Sequence, residues 1–164
     1  MTRRDDLRRV DQALARIARM ATGREGARLR SERSWVFLSQ PAVTILAALR
    51  SAGDVRSSEV GRLTGLEAPL VSREVGELAE SGHVRRKADP SDGRAGIVAL
   101  TPKGRRASEA YRSAADEIIA EVLSSWSAAD LHYLATHLER VVRDFARPPQ
   151  TTSAGESLPA RALL

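Results

Sequence analysis

The chain contains no cysteine among its 164 residues. That absence removes disulfides, thiol nucleophiles, iron–sulfur clusters and thiol-based redox sensing, and it fits a reducing compartment. No apolar run reaches the roughly 18 residues that a membrane-spanning helix needs. The opening Met1-Thr2-Arg3-Arg4-Asp5-Asp6 leads straight into a charged amphipathic pattern, without the apolar centre of a signal peptide. The expected location is cytoplasmic, with no membrane partner.

The signatures of catalysis are missing too. There is no glycine-rich phosphate loop and no nucleophile beside a base, so an enzyme is not expected. His83, His132 and His137 are scattered, and the last two, five apart, do not share a helix face. With no cysteine or acidic cluster beside them, no metal site and no cofactor are expected.

What is present is a globular composition, 42% apolar and 29% charged, in about one domain's length. The net charge of +5 and the pI near 10.6 permit nucleic-acid binding without proving it. The surplus lies in residues 1–50, with 11 arginines against 5 acids. Residues 51–104 balance at 8 basic against 8 acidic, and residues 105–164 carry 7 against 8. Bulk charge therefore says little, and the local arrangement has to carry the argument.

Leu7, Val10, Leu14, Ile17 and Ala21 form one stripe of an N-terminal helix, which Gly23 and Gly26 weaken. Ser34-Trp35-Val36-Phe37-Leu38 is the densest apolar run. Ser39 then caps a helix with Pro41 in its first turn, burying Ala42, Ile45, Leu46 and Leu49. Ser57 is positioned to cap a short helix that packs Val60 and Leu63 and stops at Gly65. A second short helix opens at Glu67-Ala68-Pro69 and packs Val71, Val75 and Leu78. Only Thr64-Gly65-Leu66-Glu67 separates the pair, which is the helix-turn-helix pattern.

Past Gly82, His83–Ala88 and the β-branched Ile97-Val98-Ala99-Leu100 read as two strands around the turn formers of residues 89–96. Thr101-Pro102 starts another helix. Two more apolar stripes follow: Ala107, Ala110, Tyr111, Ala114, Ile118, Val122, then Leu131, Leu134, Leu138, Val141, Val142, Phe145. The break between them falls near Ser127 or Asp130. The expected fold is mainly α with a small β-hairpin: a winged helix-turn-helix flanked by long dimerisation helices. Its divisions are a dimerisation helix and connection (1–38), a DNA-binding lobe (39–104), C-terminal dimerisation helices (105–146) and a flexible tail (147–164).

A helix of this kind fills the major groove of duplex DNA while the helix before it braces the backbone. With Val71, Val75 and Leu78 facing inward, Pro69, Ser72, Arg73 and Gly76 face out. Arg94 stands at the hairpin tip between Gly93 and Gly96, where it can reach the minor groove or a phosphate. The candidate DNA contacts are Ser57, Ala68, Pro69, Ser72, Arg73, Arg85 and Arg94. Two long amphipathic helices at opposite ends of so small a chain have little core of their own to cover. Leu7, Val10, Leu14 and Ile17, with Leu131, Leu134, Leu138 and Val142, are therefore the candidate homodimer interface.

The run Asp92-Gly93-Arg94-Ala95-Gly96-Ile97-Val98-Ala99-Leu100-Thr101-Pro102-Lys103-Gly104 resembles the wing motif of the MarR family of transcription regulators. Leu78-Ala79-Glu80-Ser81-Gly82-His83-Val84-Arg85-Arg86 resembles the end of that family's recognition helix and its first wing strand. The resemblance implies a homodimer on a palindromic site, with a repressor the expected role. It makes Asp92 and Gly93 wing-stabilising residues and Arg94 a DNA contact. It also implies a small phenolic or aromatic effector, for which Trp35, Phe37 and Tyr111 are the candidate pocket. One departure from the family pattern is the acidic recognition helix: Glu74, Glu77 and Glu80 must lie away from phosphate. They keep open a second reading, a winged-helix protein-interaction module that does not bind DNA.

Overall fold

The computed structural model describes residues 2–88 and 96–147. Asp92, Gly93 and Arg94, and the expected tail beyond Arg147, lie outside the described residues. The chain divides into two compact units, Met1–Val122 and Leu123–Leu164.

The first unit begins with α1 (Arg3–Thr22), whose start is set by a reciprocal cap. The Thr2 hydroxyl accepts from the Asp5 amide at 3.3 Å, and the Asp5 carboxylate accepts from the Thr2 amide at 2.9 Å. These bonds favour the ionised acid and hold Asp5 below the usual carboxylate range. Gly23 ends α1, and α2 (Arg24–Ser34) follows at once. The glycines of the twenties therefore separate two helices, where the sequence pattern reads only one weakened helix. Polar side chains support α2: Arg28 bonds both Glu25 and Glu32 at 2.6 Å, at the spacings that face one another on a helix. Because that support is polar, no apolar stripe announces it.

α3 (Gln40–Ala52) is the centre of the core. Ser39 caps it, accepting from the Ala42 amide at 3.1 Å, and Pro41 occupies the first turn. Ala42, Val43, Ile45, Leu46 and Leu49 are buried on it. All but Val43 pack with Val60, Val71, Val75, Leu78, Val84, Val98 and Leu100 in one aliphatic cluster.

After Gly53 the chain forms β1 (Val55–Arg56), then α4 (Ser57–Thr64) and α5 (Ala68–Glu80). Arg56, not Ser57, is the capping residue of α4. Pairing of β1 with its neighbour holds residue 56 extended, so the helix starts one residue earlier than expected, and the Ser57 hydroxyl instead donates to the Gly96 carbonyl at 3.0 Å. Gly65 takes a left-handed φ of 70°, the conformation that turns α4 into α5 and that a Cβ would strain. Leu63 departs from expectation: it is half-exposed at the edge of an α3–α4 groove, because the core contact on α4 is made by Val60.

β2 (Val84–Ala88) and β3 (Gly96–Leu100) pair antiparallel, Val84 opposite Leu100 and Ala88 opposite Gly96. The hairpin is thus as expected, but the sheet has a third strand, in the order β1-β3-β2. β1 has only two residues and so leaves no alternation to read.

α6 (Pro102–Val122) starts where Thr101 accepts from the Gly104 amide at 3.1 Å. Here α6 crosses so close to the start of β2 that a Cβ on Gly104 would collide with the His83 carbonyl. Tyr111 and Ala114 are buried on α6, whereas Ile119 and Val122 near its end are exposed.

The second unit holds α7 (Ala128–Ala146), capped by Ser127, which accepts from the Asp130 amide at 3.2 Å. None of its residues is buried. No helix among the described residues is long and apolar enough to cross a membrane.

Candidate nucleic-acid interface

Packing decides which side of α5 is free. Val71, Val75 and Leu78 enter the core, and Ala68, Pro69, Ser72 and Arg73 stand exposed on the other side. Gly76, expected on the outer face, is half-buried, with the Arg86 guanidinium 4.0 Å from where its Cβ would be.

The acidic residues of α5 separate into two kinds. Glu77 and Glu80 are exposed, but Glu74 is only 3% exposed and lies among the core aliphatics. Its carboxylate accepts from the Ser39 hydroxyl at 2.5 Å and from Arg73 Nη2 at 3.1 Å. Arg73, 65% exposed, also stands 3.8 Å from Glu77. The one basic residue of α5 is therefore held beside two carboxylates.

The sheet sorts the basic run after Gly82. Side chains alternate across a strand, and Arg86 shares its face with Val84, opposite Val98. That is the face α5 packs on, which is why Arg86 reaches Gly76. Arg85 and Lys87 take the opposite face, where Lys87 bonds Asp54 at 2.9 Å and holds its carboxyl below the usual range. Arg85, the sequence candidate, is therefore turned away from α5. Arg86, which the basic run 85–87 includes but the candidate contacts leave out, stands beside that helix, and the alternation from buried Val84 is the signal that singles it out. Of the remaining candidates, Ser57 is engaged with Gly96, the first residue of β3, at the loop end of the β2–β3 ladder.

Trp35 and Phe37 wall a cavity of about 350 Å³, with Leu38, His83, Lys103, Arg106 and Ala107 also lining it. Trp35, at the end of α2, takes a left-handed φ of 56° and is 82% exposed. Tyr111 does not line this cavity. It is buried, accepting from Arg30 Nε at 3.1 Å and donating to Gln40 at 3.4 Å, so its hydroxyl ties α2 to α3 and α6. Burial, reinforced by the charge of Lys103, pushes the His83 ring below the usual histidine range, while its Nδ1 lies 2.9 Å from the Ser81 hydroxyl. No cluster of three or more potential metal-ligating side chains occurs among the described residues.

The side chains expected at a subunit interface are exposed on the apolar faces of their helices. Leu7, Val10 and Ile17 are exposed on α1, with Leu14 half-buried; Leu131, Leu138 and Val142 are exposed on α7, with Leu134 half-buried.

Residues 38–95 match the model of the MarR family. The chain is 27% identical over 104 residues to the HTH-type transcriptional regulator YdgJ of Bacillus subtilis, a match covering 63% of this chain and 63% of that protein. It thus spans less than two thirds of that relative's length. It is 31% identical to a probable transcriptional regulator from Pseudomonas aeruginosa, covering 80% of this chain and 98% of that one, with a TM-score of 0.61. A MarR family protein from Bacillus stearothermophilus, 18% identical, shares the fold at a TM-score of 0.73 over 90% of this chain and 100% of its own.

Proposed function

The chain belongs to the MarR family, and from that premise we propose that it is a homodimeric transcription repressor, reading a palindromic operator and released by a small aromatic anion. The observation that carries the DNA-binding part is the outer face of α5. Ala68, Pro69, Ser72 and Arg73 stand clear of the core, with Arg86 beside them. A helix so presented fits the major groove, and each member of a symmetric dimer would read one half-site. Arg94, outside the described residues and between β2 and β3 in the sequence, is the expected contact with the adjacent minor groove or backbone.

Dimerisation is supported by the exposed stripes of α1 and α7, which leave large aliphatic side chains in water. The effector reading is supported by the cavity beside Trp35 and Phe37. Aromatic walls suit a flat apolar body, and Lys103 and Arg106 suit a carboxylate or phenolate. A phenolic or aromatic acid is the ligand class it fits. The opposing observation is the neutralised Arg73, which favours a module that binds protein rather than DNA.

Fluorescence anisotropy separates these readings, with duplex from upstream of the gene against a scrambled duplex at two salt concentrations. The expected result is tight, salt-sensitive binding to the native duplex, since phosphate contacts release counterions. Arg94→Ala weakens it by about 1–3 kcal/mol while the dimer stays intact. Equal, weak binding to both duplexes transfers the case to the protein-interaction reading.

A further inference from the structure

We propose that Glu74 is a positioning residue for operator reading: its buried carboxylate fixes Arg73 on the groove-facing side of α5 and anchors it to the start of α3. This rests on the DNA-binding reading above.

A carboxylate on the packed side of a helix is costly unless its oxygens are bonded, and an aliphatic side chain at such a place often stabilises as well or better. Core packing alone thus gives no reason for an acid at 74, between Val71, Val75 and Leu78. What the acid adds is a pair of directed bonds. Oε2 accepts from the Ser39 hydroxyl, and Oε1 accepts from Arg73 Nη2. Ser39 is itself fixed, because its oxygen also accepts from the Ala42 amide as the cap of α3. The guanidinium is therefore tethered through Glu74 to the rigid centre of the core, while the side chain remains 65% exposed.

Two consequences follow for DNA. A tethered arginine has fewer rotamers to lose on binding, and it keeps free N–H donors for a base edge, which favours discrimination. Its charge is also offset by Glu74, so it gains less from any phosphate within reach, which holds down sequence-independent binding. The acidic character of this helix is then part of its selectivity.

The test uses the full chain and the duplex that wild-type protein enriches from a random-sequence pool, against a scrambled duplex, over a series of salt concentrations. Glu74→Gln is expected to reduce the ratio of enriched to scrambled affinity by roughly tenfold, the scale of one lost base contact. Binding to the scrambled duplex tightens, and the slope of log affinity against log salt steepens by about one as Arg73 turns to phosphate. In an Arg73→Gln background, Glu74→Gln changes neither quantity. Ser39→Ala lowers the ratio without steepening the slope, because it loosens the tether and leaves the charges in place.

A Glu74→Gln protein that melts earlier but keeps its ratio and slope overturns the proposal, since Glu74 would then only brace the fold. Should that variant not fold, Ser39→Ala decides: an unchanged ratio overturns the proposal, and a ratio lost only when Arg73 is present upholds it. A pool from which wild type enriches nothing overturns the DNA-binding reading itself, and the assignment with it.

Discussion

α3 and α7 are written in the same pattern and meet different ends. Each carries an apolar side chain every three or four residues and begins at a serine cap. On α3 that stripe lies wholly inside the core, with Ile45, Leu46 and Leu49 all at 2% exposure or less. On α7 no residue is buried, and Val142 and Phe145 stand largely in water. The difference teaches that periodicity announces a face to be covered and is silent on what covers it. For α3 the cover is the same chain: α4, α5, α6 and the sheet. On α7, and on α1, no residue is buried, and the proposed homodimer would supply the cover.

That contrast is broken most directly at its buried end. Leu46→Ala is expected to cost about 2–5 kcal/mol of folding stability, as core truncations do, read from urea unfolding of the purified protein. A loss well under that range would mean that the lobe around α3 is far less tightly organised than its burial indicates.

The exposed end responds in association rather than in folding. Leu138→Arg on α7 is expected to leave the core around α3 intact, convert dimer to monomer in sedimentation, and abolish operator binding. A guanidinium at 39% exposure is tolerated in a lone subunit and becomes a desolvated, unpaired charge once a partner covers it. A variant that remains dimeric and binds normally would place the interface elsewhere.

The smallest effect sharpens the buried side. His83 is depressed below the ordinary histidine range by burial and by Lys103, so over the interval beneath about pH 6.5 the unfolded chain binds more protons than the folded one. Its contribution is fully present above that pH and is lost as pH falls toward the lower folded value. The melting temperature should decline between about pH 7 and pH 5.5, with a shallower decline in His83→Gln. Identical slopes for the two proteins would remove His83 as the source.

Much of the fold was legible beforehand. Ser39 with Pro41, Gly65, Thr101-Pro102 and Ser127 each marked a boundary that the structure keeps, because caps and left-handed turns rest on backbone geometry a few residues long. α2 and β1 were missed for opposite reasons. α2 is held by Arg28 between Glu25 and Glu32 and shows little apolar period, whereas β1 is too short to show one. The candidate site was legible in part. Ala68, Pro69, Ser72 and Arg73 do stand on the free side of α5, but Glu74 was not expected inside, and Arg86 was passed over for Arg85.

What the sequence determined alone is the order of elements and their punctuation, since helix starts, glycine turns and strand alternation are short-range effects. Tertiary structure decided which side chains of similar character are used, and how. Glu74 and Glu77 are the same residue on the same helix, yet only one meets the Ser39 hydroxyl inside the core. Arg85 and Arg86 are neighbours that the pleat of β2 sends to opposite faces. Trp35 and Phe37 line a cavity, while Tyr111 is held by Arg30 and Gln40. Each of these outcomes depends on a partner brought near by folding, 35 residues away for Glu74 and 81 for Tyr111. A contact at that separation is fixed by how whole elements pack, and local sequence does not record it.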